Sequence, residues 1–383
     1  MVERRGDEAV TCFWGKVLNL NDNRLFYRAV RDLVVVALSL MIILGLFLFE
    51  RFYFSYGQKE LSDETVAWLQ DLYLSQVLPV EPVSIQGQLC SESVAVIGHR
   101  GSVVDGQLAD SDRMNLRNTK IGNTKLGIER ALRAKIDFIE IDLRIFSGSE
   151  KDLVLYHDSN LGKLEDPTGL LKLEGRRIEE LSYNEIDDLT CRILATEDQG
   201  IDRSVLFFSE FLEGVADSNQ KIILDLKFAK LMGQAEFTEA FEKMLFQLEK
   251  HKISTERVLF FGDFKVLTEW HKFVATRTST GNFRSSECRL GYTVLGEHFE
   301  NRFDVLIRPS RVFENLFQLQ MPGVKKPVLV LPVSFASNAM LNRAKQREVD
   351  VWIYDTEDFR DWRGLEKRGV DGFILDDPKA YSK

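Results

Sequence analysis

The sequence predicts an α/β fold, a (β/α)8 barrel preceded by a single transmembrane helix. From Val94 onward, short apolar runs alternate with helix-like stretches, which is typical of parallel βα units. About eight strands in roughly 290 residues is the usual size of such a barrel. The transmembrane helix is predicted by an apolar run between Leu33 and Phe49.

The apolar runs predict ten strands, two more than the barrel holds, and leave open which run near residues 289–333 is the sixth barrel strand. The predicted strands are Val94–Gly98, Phe138–Leu143, Leu153–Tyr156, Ile222–Leu226, Val258–Phe261, Arg289–Val294, Asp304–Ile307, Val328–Val333, Val351–Tyr354 and Gly372–Leu375. The predicted helices are Lys125–Ala134, Ile178–Leu189, Ala235–Lys250, Asn338–Arg347 and Arg360–Arg368. The stretch 160–220, between the third and fourth predicted strands, is long for a βα connection and predicts a small subdomain or a lid.

The amino-terminal part predicts a membrane anchor. Residues 33–49 carry no charged side chain over seventeen positions and, with the aromatic flank that follows, are just long enough to span a bilayer. A buried core helix and a cleaved signal peptide are the alternatives, but a polar face and a small-residue cleavage site are both missing. The predicted organisation is a segment 1–31, a transmembrane helix with its flank 32–56, a juxtamembrane helix and linker 57–92, and a catalytic barrel 93–383.

The distribution of basic residues predicts the orientation of this anchor. Cytoplasmic flanks of membrane helices carry an excess of Lys and Arg. Six basic residues precede the span and two follow it closely: Arg4, Arg5, Lys16, Arg24, Arg28 and Arg31, then Arg51 and Lys59. We therefore expect a single-pass protein with a cytoplasmic amino terminus, a lipid bilayer as partner, and an extracytoplasmic barrel, which is periplasmic if the source is bacterial.

Composition excludes two classes of protein. The net charge of the 383 residues is −9 and no basic stripe is present, so nucleic-acid binding is not indicated. The four cysteines lack the spacing of a metal site and are too few for a disulfide framework.

Polar residues follow four of the apolar runs: His99-Arg100, Glu140-Ile141-Asp142, His157-Asp158 and Asp225-Leu226-Lys227. The carboxyl ends of barrel strands build the active site of such folds, so these groups should converge at one rim.

The carboxylates predict a metal site. Glu140 and Asp142 lie two positions apart and therefore point to the same face of a strand. Two close carboxylates repel each other unless a cation lies between them, and such hard oxygen ligands suit Ca²⁺ or Mg²⁺. Asp225, expected on the next strand but one, is the third candidate ligand. The alternative is a solvated strand end.

The remaining groups predict acid–base chemistry on a phosphate. His99 and His157, expected at equivalent ends of neighbouring strands, suit a general base and a general acid, since imidazole titrates near neutrality. A structural role is the alternative for each. Arg100 and Lys227 would neutralise phosphate oxygens. Asp158 either orients an imidazole or caps a turn.

These motifs, in this order, resemble the glycerophosphodiester phosphodiesterase family, a TIM barrel related to the phosphatidylinositol-specific phospholipases C. The resemblance runs from about Val94 to Pro378 and is carried by Gly98-His99-Arg100-Gly101, Gly122-Asn123-Thr124, Ile139 to Arg144, Leu153 to Asp158, Val351 to Asp355 and Gly369 to Pro378.

The resemblance implies a reaction and roles for the residues. It implies metal-dependent cleavage of a glycerophosphodiester to glycerol phosphate and an alcohol. By resemblance His99 and His157 are the acid–base pair and Arg100 binds phosphate. The metal ligands implied are Glu140, Asp142 and Asp225.

Three departures from the family keep alternatives open. Asp225 stands where the family has Glu, Gly122 replaces the Glu of a Glu-Asn-Thr motif, and residues 102–121 form an insertion that should overhang the active-site mouth. A lysolipid or a glycerol-phosphate-containing polymer is therefore also a candidate substrate. The alternative functions are a phospholipase of C or D type, such as a lysophospholipase D, and a catalytically degenerate envelope binding protein.

Overall fold

The computed structural model describes the barrel but only two residues before it. It describes residues 94–101, 122–147, 152–191, 204–228, 233–276, 287–294, 326–354 and 362–376, except 135, 159, 163 and 170, together with the single residues 31, 34, 284, 312 and 378. The predicted insertion 102–121, the juxtamembrane segment 57–92 and the predicted strand Asp304–Ile307 lie outside the described residues, as does the predicted span apart from Val34. Among the residues described, no helix has both the length and the apolar character needed to cross a membrane.

Eleven strands and seven α-helices follow one another along this part of the chain. The strands are β1 (Ala95–Gly98), β2 (Phe138–Arg144), β3 (Val154–Leu155), β4 (Leu164–Glu165), β5 (Thr190–Cys191), β6 (Lys221–Leu226), β7 (Val258–Gly262), β8 (Arg289–Thr293), β9 (Val328–Pro332), β10 (Asp350–Tyr354) and β11 (Gly372–Leu375). The helices are α1 (Lys125–Ala134), α2 (Tyr183–Asp187), α3 (Phe208–Val215), α4 (Gln234–Lys250), α5 (Phe264–Thr276), α6 (Asn338–Gln346) and α7 (Trp362–Arg368). Three 3₁₀ helices cover Ile178–Glu180, Thr255–Arg257 and Val333–Phe335.

Eight of the strands form a closed parallel barrel, which confirms the predicted (β/α)8 barrel. The order is β1-β11-β10-β9-β8-β7-β6-β2, and β1 also pairs with β2, so the sheet closes on itself. The sixth barrel strand, which the sequence left open, is β9. Closure leaves the barrel without an edge strand.

The predicted strand Leu153–Tyr156 is not a barrel strand. Only Val154–Leu155 is extended, and it pairs antiparallel with the end of β2. A short connection turns the chain straight back onto β2, and a hairpin is necessarily antiparallel. The stretch 160–220 therefore connects the second barrel strand to the third, rather than the third to the fourth.

Part of that stretch folds as a small subdomain. β4 and β5 form a two-stranded antiparallel sheet over a separate apolar cluster that includes Tyr156, Ile186 and Phe207. The single helix predicted over Ile178–Leu189 is instead a 3₁₀ turn followed by α2. The break has a local cause, because the Ser182 hydroxyl accepts a hydrogen bond from the Glu185 peptide N–H and begins a new helix.

The barrel interior is packed with apolar side chains below its carboxyl end. Alternate residues of each strand point inward, and the inward set consists of Ile97, Ile223, Leu259, Phe261, Val328, Val330, Trp352 and Ile374. Gly291 and Gly372 leave room for the rings of Phe261 and Trp352, since a Cβ at either position would overlap them. Because the same alternation continues upward, the next inward positions carry the polar groups of the site.

We expect Gly291→Ala to destabilise the protein by about 1–3 kcal/mol, because the added methyl group overpacks the barrel against Phe261. Gly214→Ala is the matched control. Gly214 lies in α3 where an added Cβ meets no atom, so this change should stabilise the helix by about 0.5–1 kcal/mol. Urea denaturation followed by circular dichroism measures both. A stable Gly291→Ala variant would contradict the packed interior.

Candidate active site

Three buried carboxylates lie together at the carboxyl end of the barrel. Glu140 and Asp142 share the inward face of β2, and their side chains are 3% and 1% exposed. Asp225 is the direct register partner of Asp142 on β6. One oxygen of each residue lies within 4.8 Å of the others. The predicted trio is thus brought together, but Asp225 comes from the adjacent strand rather than the next but one.

The turn after β1 is built onto Glu140. The peptide N–H of Arg100 donates to Glu140 Oε2 at 2.7 Å, and the N–H of Gly101 donates to the Glu140 carbonyl at 2.9 Å. Both residues have positive φ, +52° and +89°. Gly101 is required here, because a Cβ would lie 2.8 Å from the backbone of Gly127 in α1. The turn therefore fixes one oxygen of Glu140 and places His99 and Arg100 beside it.

Asn123 is a site residue for which the sequence predicted no role. Its amide donates to Asp142 Oδ2 at 2.9 Å, and its carbonyl oxygen accepts from the Asp142 peptide N–H at 3.1 Å. The Asn123 N–H in turn donates to the Arg100 carbonyl at 2.8 Å. Asn123 thus holds Asp142 at both side chain and backbone. The sequence feature that could have identified Asn123 is the Gly122-Asn123-Thr124 motif.

The departure at Gly122 has a packing explanation. A Cβ at this position would overlap the side chain of Arg100. Arg100 therefore occupies the space that a side chain at residue 122 would need. The missing Glu side chain therefore leaves no gap at residue 122, because the side chain of Arg100 fills that space.

Two cations, Arg100 and Lys227, lie against the acidic cluster, so the predicted convergence at one rim includes them. Lys227 Nζ lies 2.8 Å from Asp225 Oδ2 and 3.6 Å from Asp142 Oδ1, and Arg100 Nε lies 3.2 Å from Asp142 Oδ2. Burial lowers the pKa of Lys227, but Asp225 and Asp142 outweigh it and hold that pKa above its ordinary range. Both cations are therefore charged.

The pKa values of the two carboxylates of β2 are shifted in opposite directions. Burial, and then the charge of Asp142, raises the pKa of Glu140 to about 8. Burial also opposes ionisation of Asp142, but His157, Arg100 and Lys227 together hold its pKa below the ordinary range. Without a cation, Glu140 is therefore protonated at pH 7 while Asp142 is ionised.

The residues present fit a divalent cation. Asp142 Oδ1 is buried and has no hydrogen-bond partner in the part of the chain that the structure describes. A buried carboxylate oxygen that accepts no hydrogen bond is costly unless another group satisfies it. Carboxylate oxygens are the ligands that Ca²⁺ and Mg²⁺ prefer. Glu140, Asp142 and Asp225 would therefore hold such an ion.

Each predicted histidine is oriented by an aspartate. His99 Nδ1 lies 2.6 Å from Asp376 Oδ1, and His157 Nδ1 lies 2.7 Å from Asp158 Oδ1. An aspartate at Nδ1 fixes the ring and leaves Nε2 for proton transfer. The contact of Asp158 supports its orienting role. Asp376 was missed, although its place directly after the last strand matches that of the other site residues.

His157 reaches the site from outside the ring of barrel strands. It follows β3, not a neighbouring barrel strand as predicted, because β3 pairs antiparallel with β2. Burial lowers the pKa of His157 even though Asp142 raises it, so the imidazole is neutral near pH 7 and able to accept a proton.

Comparison with known proteins agrees with this fold and identifies a family. Residues 99–380 match the Glycerophosphoryl diester phosphodiesterase family. A protein of Silicibacter pomeroyi DSS-3, described as a glycerophosphoryl diester phosphodiesterase, superposes with a TM-score of 0.55 at 19% identity, over 74% of this chain and 90% of its own. A phosphodiesterase of Oleispira antarctica, in complex with the product sn-glycerol-3-phosphate, superposes with a TM-score of 0.51 at 17% identity, over 75% and 95%. At these identities the structures establish the fold. No curated protein matches the chain in sequence.

We expect the affinity for Ca²⁺ or Mg²⁺ to rise with pH up to about 8, the pKa of Glu140, and to level off above it. Below that pH a cation must displace the Glu140 proton, so the apparent affinity should fall about tenfold per pH unit. Titration calorimetry at pH 7, in buffers of different ionisation enthalpy, should show about one proton released per ion. An affinity that does not change between pH 6 and 8 would contradict a protonated Glu140.

Proposed function

The chain belongs to the glycerophosphoryl diester phosphodiesterase family of phosphoric diester hydrolases, and from this premise we propose that it cleaves a glycerophosphodiester to glycerol phosphate and an alcohol, with a bound Ca²⁺ or Mg²⁺. The observation that carries the proposal is the convergence of Glu140, Asp142 and Asp225, within 4.8 Å of one another, with two aspartate-oriented histidines. The product bound to the Oleispira antarctica phosphodiesterase, sn-glycerol-3-phosphate, is the product proposed here.

Positive charge gathers where the phosphate would bind. Arg100 is buried and Lys227 is partly buried beside the carboxylates, and both would pair with phosphate oxygens by charge-assisted hydrogen bonds. A cation held by the carboxylates would supply further stabilisation of negative charge on phosphorus-bound oxygens. The site is therefore built to stabilise the extra charge that develops as phosphorus is attacked.

The histidines would carry the protons. In the first step, Nε2 of one histidine accepts the proton of the substrate's own glycerol hydroxyl as that oxygen attacks phosphorus. The other histidine donates a proton to the departing alcohol, which leaves a cyclic phosphate. In the second step the roles reverse. The histidine that donated a proton now accepts one from water as the water oxygen attacks phosphorus and opens the ring, and the other histidine returns its proton to the glycerol oxygen. An intramolecular hydroxyl loses little entropy in reaching phosphorus.

We also propose that the enzyme is anchored in a membrane through residues 32–56, with an extracytoplasmic barrel. The support is the charge-free run of residues 33–49 and the six basic residues before it, against two close behind it. This location would bring the site close to lipid-derived diesters, so lysolipids belong among the substrates to be tested.

We expect the purified full chain, in detergent with Ca²⁺ or Mg²⁺, to release glycerol phosphate from glycerophosphocholine. Glu140→Gln removes one ligand charge and His157→Ala removes a proton carrier, so each should lower kcat by about 100-fold or more. Glu129→Gln, an exposed position on α1, is the matched control and should retain full activity. Lysophosphatidylcholine and polyglycerol phosphate complete the substrate panel.

The panel separates the alternatives. Release of choline from lysophosphatidylcholine alone would favour a lysophospholipase D. Undiminished rates after chelation of divalent cations would exclude the metal role. No turnover of any diester with any cation would favour a binding protein and overturn the enzyme proposal.

For topology, we expect alkaline phosphatase fused after Lys383 to be active in a bacterial host, since that reporter folds only outside the cytoplasm. The same fusion lacking residues 1–56 should be inactive, because the segment that directs export is gone. An inactive full-length fusion that is nevertheless produced would contradict the proposed orientation.

A further inference from the structure

Arg144 lies on the strand that carries two of the acidic residues. It is two positions beyond Asp142 on β2 and therefore points to the same side of that strand. Its side chain is only 9% exposed. The N–H groups of a buried guanidinium must donate hydrogen bonds to protein acceptors, and those acceptors indicate what the side chain does.

The guanidinium of Arg144 donates two hydrogen bonds to the backbone of His157. Nε and Nη2 both donate to the His157 carbonyl oxygen, at 3.0 and 2.6 Å. Nη1 donates to Glu179 Oε1 at 2.7 Å, and Glu179 is itself only 13% exposed. All three nitrogens of one rigid plane are thus engaged, which fixes both partners relative to β2.

The hydrogen bonds from Arg144 to His157 lie directly beyond the last paired residues of β2 and β3. β3 is paired with β2 through Leu143–Leu155 and Arg144–Val154, and the Tyr156 N–H donates to the Asp142 carbonyl at 3.1 Å. At the next residue, His157, the carbonyl is held by the Arg144 side chain instead. Hydrogen bonding between β2 and the chain after β3 therefore continues one residue further, to His157, through the side chain of Arg144.

The second partner ties in the small subdomain. Glu179 belongs to the 3₁₀ helix Ile178–Glu180, and its other carboxylate oxygen lies 3.3 Å from Arg177 Nε. The subdomain, the loop bearing His157 and the strand bearing Glu140 and Asp142 thus meet at one guanidinium. A shift of any one of them would move His157 relative to the carboxylates.

We propose that Arg144 is a positioning residue, which sets the place of His157 relative to the acidic cluster by holding the His157 carbonyl. The inference rests on the proposed function, because it takes His157 as a proton carrier. Arg144 touches no reacting atom in this account. Its loss should therefore lower kcat while leaving KM and the affinity for the cation close to those of the wild type.

The test compares two arginines of the same region. Arg144→Gln should lower kcat on glycerophosphocholine by about 100-fold, the cost of a misplacement of about 1 Å. Arg176→Gln is the matched control, because Arg176 also pairs with a glutamate of the subdomain, Glu185 at 2.8 Å, without contacting His157. It should remain within about twofold of the wild type, as expected for a partly exposed ion pair.

A double-mutant cycle separates positioning from a general loss of structure. In a His157→Ala background, Arg144→Gln should cause no further loss of kcat, since the group it positions is gone. Multiplicative losses, or an Arg144→Gln variant as active as Arg176→Gln, would overturn the inference. If Arg144→Gln does not fold, Arg144→Lys serves in the same cycle, because it keeps the charge but not the fork, and about tenfold is then expected.

A spectroscopic readout keeps the inference testable if the proposed function fails. The chain has five histidines, so ring signals of ¹⁵N-histidine-labelled protein can be resolved and that of His157 assigned from a His157→Gln variant. The His157 signal should shift in Arg144→Gln and not in Arg176→Gln. Absence of turnover in the wild type would reject the function alone, whereas an unshifted His157 signal would reject the positioning role.

Discussion

The burial of three carboxylates at one end of the barrel is the constraint on which the rest of the site depends. Glu140, Asp142 and Asp225 lie within 4.8 Å of one another, where like charges repel and water is largely excluded. Each surrounding contact addresses that cost. Arg100 and Lys227 supply opposite charge, and Asn123 donates to Asp142. A proton on Glu140 reduces the remaining repulsion, and a bound cation would take the place of that proton.

The same constraint links the site to the fold. Glu140 accepts hydrogen bonds from N–H groups of the turn that bears His99, and Asp142 accepts one from Asn123, which lies in the turn before α1. β2 also carries Arg144, which holds His157. One strand therefore carries two of the three proposed metal ligands and contacts the segments that bear both proposed proton carriers. Substitutions on β2 should disturb several functions together, whereas those on α4 or α5 should act through stability alone.

The sequence alone predicted the barrel, and it predicted that the seven candidate site residues would converge at one end of it, because both predictions follow from local patterns. Short continuous apolar runs mark buried strands, and polar residues directly after them mark the rim. It failed where long-range pairing decides. β3 carries the same apolar signal as a barrel strand, yet a hairpin makes it antiparallel. Asp376 orients His99 from 277 positions away, a contact that no local pattern contains.

The most direct test of the account is the location of a bound cation. Crystals of the protein soaked with Mn²⁺ should show, by anomalous diffraction, a single strong peak at about 2.0–2.6 Å from an oxygen of each of Glu140, Asp142 and Asp225. The same peak should be missing in Glu140→Gln. A cation bound elsewhere, or none at this cluster in the wild type, would contradict the central claim that these three carboxylates form a metal site.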